Sequence, residues 1–185
     1  KTWFAGGIWS WLGIVPLNRF SIDSMLPAID ACRANKVENA FFTMWGDDGA
    51  ECSHFSQLPS LFYIAEYAKG NTDEEKIKRK FKSFTGIDFD DFMLIDEPNH
   101  VYGYNKAPRN PSKYMLYSDY FNGFLDSGVD KSKNASEFYA ELAKKLYAVA
   151  KKSRRYGYVF DTEAKLCDIL AIKFELMTLD RKSVV

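Results

Sequence analysis

Residues 43–53, Thr43-Met44-Trp45-Gly46-Asp47-Asp48-Gly49-Ala50-Glu51-Cys52-Ser53, set an indole two positions ahead of the first of three carboxylates. A Trp ring offers a flat apolar face, and carboxylates accept hydrogen bonds. Together they suit a sugar, whose C–H face stacks while its hydroxyl edge needs acceptors. Trp45 and Asp47 are therefore candidate ligand-binding residues. A second segment, Gly6-Gly7-Ile8-Trp9-Ser10-Trp11-Leu12-Gly13, adds Trp9 and Trp11. Alternation puts both on one side if the segment stays extended. Two parallel strand ends delivering these rings into one crevice would build an aromatic-walled pocket. The competing assignment gives Asp47 and Asp48 to turn and helix-cap duty and Trp45 to a core. Core packing competes for the other indoles too, most strongly for Trp3.

Other reactive types carry less. Asp48, Glu51 and His54 have a spacing that matches no zinc or calcium signature. Cys52 would need an adjacent base to act as a nucleophile. His100 sits in a polar stretch and gives no signal. Asn134-Ala135-Ser136 is formally a glycosylation sequon but reads as a helix cap, and the cations from Lys151 to Arg155 close a predicted helix, where they favour its dipole. No metal and no organic cofactor is expected.

The elements that must position the Trp residues read as strand, helix, strand, helix. Thr2–Ile8 is a short apolar run bounded by glycines, and Val37–Trp45 is a second strand. Between them Ser24–Lys36 puts Met25, Ile29 and Cys32 on one helical face, with Ser24 as its cap, Pro27 in the first turn and Asn35 as a stop. Phe55–Ala68 forms the next helix through Leu58, Leu61, Phe62 and Ala65. Parallel strands joined by crossover helices imply an α/β sheet or barrel, whose ligands sit beyond the carboxyl ends of the strands.

Charge density then doubles across Gly70-Asn71-Thr72: residues 1–70 hold all four Trp with five basic and seven acidic residues, against 20 and 18 in residues 71–185. Such a step at a turn predicts two units, 1–70 and 71–185. The second opens with a helix over 72–84 capped by Thr72 and Glu75. Residues 98–118 read as a long loop with a helical turn after Pro111. Two long helices follow, about 136–155 with Phe138, Leu142, Leu146 and Val149 inward, and about 161–179 with Leu166, Leu170, Phe174 and Met177 inward. They should pair antiparallel.

Composition bounds the function. Twenty-five basic and 25 acidic residues balance, the pI is near 6.9, and 46% of positions are hydrophobic. That leaves no electrostatic footprint for nucleic acid or an anionic membrane, and no apolar run approaches a membrane span. Three widely spaced cysteines, Cys32, Cys52 and Cys167, fit neither a disulfide framework nor a zinc cluster and read as reduced thiols of a cytoplasmic protein. The opening at Lys1, directly into apolar residues, reads as the continuation of a longer chain.

The segments Gly7–Gly13 and Thr43–Glu51 resemble the last part of the catalytic barrel of glycoside hydrolase family 20, above all the bacterial exo-β-N-acetylhexosaminidases whose barrel is followed by a helical domain. Residues 114–126 and the two long helices are similar to that domain. The resemblance implies an α/β then all-α chain: the last two β/α units of a TIM-type barrel, then an α-helical C-terminal domain. It implies that Trp45 stacks under a terminal N-acetylhexosamine, that Asp47 binds its outer hydroxyls, and that Trp9 or Trp11 lines the acetamido pocket. In that family an adjacent Asp-Glu pair on an earlier strand does the chemistry. Glu protonates the leaving oxygen, and Asp orients the acetamido group that attacks the anomeric carbon. The Asp96-Glu97 pair here lacks the preceding strand and glycine, so the chain alone is expected to be inactive. Two strands cannot close a barrel, so the missing N-terminal part or a second copy is the expected partner. The alternative is a non-catalytic α-helical interaction module with a βα scaffold.

Overall fold

The computed structural model describes residues 1–47, 49–119 and 135–183, with side chains through 176. The order is β1 (Trp3–Gly7), α1 (Asn18–Ala34), β2 (Asn39–Thr43), α2 (Leu58–Ala68), α3 (Glu74–Thr85), α4 (Phe89–Phe92), α5 (Pro111–Tyr117), α6 (Ala135–Lys152) and α7 (Gly157–Ser183). Short 3-10 turns occupy His54–Gln57 and Met93–Asn99. The chain divides into two compact units, Lys1–Met93 with Lys106–Pro108, and Leu94–Asn105 with Arg109–Val185.

In the first unit β1 and β2 pair in parallel, Trp3 opposite Asn39 through Gly7 opposite Thr43. Phe42 and Ile8 meet the helices: Ile8, Ile29 and Ile64 are buried together, with Ile22, Met25, Leu26 and Leu61 around them. The close approach of α1 requires Gly6, where a Cβ would fall 2.7 Å from the Phe42 ring and 2.8 Å from Met25 Sδ. The expected α/β segment is present as this βαβα unit. Among the described residues the sheet has two strands, so they do not form a barrel by themselves.

Several helix starts differ from expectation, among them α7, which opens at Gly157 rather than near residue 161. Helix α1 begins at Asn18, six residues before Ser24, so Pro27 lies inside the helix and Ser24 caps nothing. The reason is that the inward face continues backwards through polar side chains, Ser21 and Asn18, both buried. Helix α3 is capped by Asp73, whose carboxylate accepts from Lys76 N at 3.0 Å, rather than by Thr72. A carboxylate is favoured there because it also meets the positive helix end. Gly86, in the left-handed region at φ +79°, ends that helix. The compositional step at residue 70 does not end the first unit, which runs on to Met93. Phe81 of α3 ties it together edge-on to Phe62, Phe89 and Phe92, at 5.3–5.5 Å between ring centroids.

The second unit is built on α6 and α7, paired through Tyr139, Leu142, Leu146 and Val149 on one side and Phe160, Leu166, Leu170 and Phe174 on the other, all buried. Gly157 opens α7 because any Cβ there would meet Ala150 O at 2.5 Å. The proposed cap Asn134 and inward residue Met177, and residues 120–126 of the resemblance, lie outside the described residues or side chains. Among the described residues no helix is long and apolar enough to cross a membrane.

One acid lies inside this unit. Glu163 is buried beside Asp96 and Cys167, and its Oε2 finds no hydrogen-bond partner among the described residues. Asp96 itself is buried, with His100 Nε2 at 3.7 Å. Burial first, and the Asp96 charge second, push the Glu163 carboxyl well above its ordinary range, and burial together with Glu163 pushes up the Cys167 thiol. A carboxyl whose folded pKa is raised stabilises fully below the unfolded value, about 4.3. That contribution is lost as pH climbs towards the folded value. Glu163→Gln should therefore raise the urea midpoint at pH 7, with the difference from wild type vanishing by about pH 4.

Candidate functional site

Parallel pairing brings the carboxyl ends of both strands to one level. Ile8 N donates to Thr43 O at 2.9 Å, and beyond that bond the two Trp-bearing loops leave the sheet side by side. They are clipped together where Ser10, itself buried, donates its hydroxyl to the Trp45 carbonyl at 3.0 Å.

Trp45 is 56% exposed, so its ring is not a core residue. Asp47 is exposed, and no described residue bonds its carboxylate. The loop after it is tight: Gly49 and Ala50 both adopt left-handed backbone, at φ +99° and +53°, and Ala50 N donates back to Asp47 O. For Ala50 this conformation costs on the order of 1–2 kcal/mol. Asp48 lies outside the described residues.

Trp9 and Trp11 stand together, with ring centroids 4.6 Å apart, and the Trp9 ring meets Phe20 edge-on at 4.7 Å. The strand ends at Gly7 and the chain turns at 11–15, so Trp11 sits at the opening of a turn rather than in a continued strand. Trp11 folds back over that strand end, where a Cβ on Gly7 would meet its ring at 2.8 Å. Both indoles are half-buried.

Beneath these loops lies a buried polar network. Trp9 N donates to Ser21 Oγ at 2.9 Å, and Ser21 donates to Leu17 O at 2.8 Å. Asn18 Nδ2 donates to Ser56 O at 2.9 Å, and Ser60 Oγ donates to Asn18 Oδ1 at 2.6 Å. The network fixes the start of α1 against the start of α2 and so holds both strand-end loops at their roots. Motif reading passed over these residues. The available signal was phase: Asn18 and Ser21 occupy the positions that extend the Met25–Ile29 face, as Ser60 extends that of Ile64.

His54 is exposed and Cys52 is buried against the Ser56 hydroxyl at 3.2 Å. Among the described residues no set of His, Cys, Asp and Glu could hold a metal ion.

Residues 90–181 match the family model described as the Glycoside Hydrolase 20C C-terminal domain. The chain belongs to glycoside hydrolase family 20. Comparison with curated proteins gave no match. The matched residues of this family 20 chain cover the α6–α7 hairpin and the preceding turns, whereas the Trp-bearing loops lie outside them. The Asp96-Glu97 dipeptide falls inside the match, and Asp96 has no solvent exposure, which removes it from any substrate's reach.

Asn18→Ala would take the amide donor from the buried Ser56 carbonyl and leave the Ser60 hydroxyl with the Gln57 carbonyl alone. Urea unfolding followed by Trp emission should show a loss of about 1–3 kcal/mol.

Proposed function

We propose that this chain forms part of the glycone-binding wall of a β-N-acetylhexosaminidase, an enzyme releasing terminal β-linked N-acetylglucosamine or N-acetylgalactosamine by substrate-assisted retaining hydrolysis. One observation carries the reading. Parallel register sets an exposed indole, Trp45, and an exposed acid, Asp47, at the same sheet end as the Trp9–Trp11 pair, with Ser10 bonding the two loops. In this reading Trp45 stacks against the sugar ring, Asp47 accepts from its outer hydroxyls, and Trp9 or Trp11 borders the acetamido group. The acid and the orienting carboxylate come from elsewhere in the enzyme.

The open face of the sheet supports membership of a larger barrel. Trp3 and Phe41 lie on the side away from the helices, 58% and 47% exposed and 6.4 Å apart. Parallel strands are ordinarily covered on both faces, and further strands would cover these rings.

Titration of the 185-residue chain with N-acetylglucosamine should shift Trp emission, and glucose should not. Trp45→Ala should abolish the shift, and Asp47→Asn should weaken binding about tenfold, the loss of charge-assisted hydrogen bonds. The chain alone should release no p-nitrophenol from p-nitrophenyl N-acetyl-β-glucosaminide. Hydrolysis by the chain, or binding indifferent to Trp45→Ala, would overturn the reading.

A further inference from the structure

The helical unit carries a groove of about 390 Å³ at the elbow between α6 and α7, lined by Tyr147, Lys151, Ser153, Arg154, Tyr158 and Asp161. Its volume lies within the range of small-ligand sites. Four cations, Lys151, Lys152, Arg154 and Arg155, crowd five positions here in a chain of zero net charge. Lys151 and Lys152 close α6, where a cation is at home. Arg154 and Arg155 instead precede the start of the 27-residue α7, which has no acid in its first turn. The carboxyl end of α6 and the amino end of α7 meet at this elbow, so the two helix dipoles offset one another there and do not account for the pair.

The groove's other charges are already committed. Asp161 pairs with Lys165 at 2.7 Å, and Tyr147 donates to Asp168 at 2.8 Å. No described carboxylate pairs with Lys151 or Arg154, both exposed. Tyr158 is exposed, and Tyr147 and Tyr158 line the same groove as the two cations. Aromatic faces beside hydroxyl and carboxylate groups suit a sugar ring, and the unpaired cations suit an acidic substituent on it.

We propose that this elbow binds an acidic saccharide, a sugar unit bearing a carboxylate or sulfate, at a site separate from the Trp-bearing loops. The cations take the acidic group and the tyrosines take the ring. The site draws on the second unit alone, so it does not depend on the glycone-wall reading.

The test titrates the 185-residue chain, by heteronuclear NMR, with a hyaluronan tetrasaccharide, a 6-sulfated N-acetylglucosamine, neutral chitotetraose, inorganic sulfate and a single-stranded DNA oligomer. The two acidic saccharides should shift resonances of residues 147–161. The exposed double variant Lys151→Ala/Arg154→Ala should weaken both by about tenfold or more, and Tyr158→Ala should weaken them by a smaller factor. Trp45→Ala should leave them unchanged, which separates this site from the glycone wall. Equal binding of chitotetraose at these residues, indifference to the double variant, or sulfate or DNA binding as tightly as the saccharides would each overturn the proposal.

Discussion

Parallel pairing of two five-residue strands governs the first unit, because it sets both carboxyl ends at one height. An antiparallel pair would send Trp9 and Trp45 to opposite ends of the sheet. Five residues of ladder are little on their own, and the parallel arrangement holds because α1 and α2 cover one face through Ile8, Ile29 and Ile64. The other face keeps Trp3 and Phe41 in solvent. The same construction therefore leaves an aromatic rim at the strand ends and an apolar face that more sheet would cover.

The rim is fixed mostly by hydrogen bonds, not by apolar packing. Ser10, Asn18, Ser21 and Ser60 hold backbone and side-chain groups beneath the loops at 2.6–3.0 Å. Buried polar groups of this kind are costly when half-satisfied and give one geometry when satisfied. They let the indoles stay partly exposed without leaving the loops loose at their roots. Trp45 and Asp47 stay exposed within this arrangement.

The second unit works differently. Its core is a helical hairpin closed by Gly157 against Ala150, with an acid, Glu163, sealed beside Asp96. The family match falls mainly here, while the Trp-bearing loops lie before it. The helical part is thus an identifying element of the family 20 chain, and its elbow adds a cationic groove of its own.

The sequence by itself determined the strands, the α6–α7 pairing and the stop at Asn35, because these follow from local periodicity and turn chemistry. It also placed an indole and an acid two residues apart after a strand, and the family followed from those segments. The start of α1, the cap of α3 and the reach of the first unit to Met93 were decided by tertiary structure. In each case a polar residue on the inward face, a competing carboxylate or an aromatic cluster outweighed the local signal. Tertiary structure also decided that Trp9 and Trp11 lie against each other through a turn, and that Asp96 is sealed away. Burial and ring contact depend on residues distant in the chain, so spacing alone does not encode them.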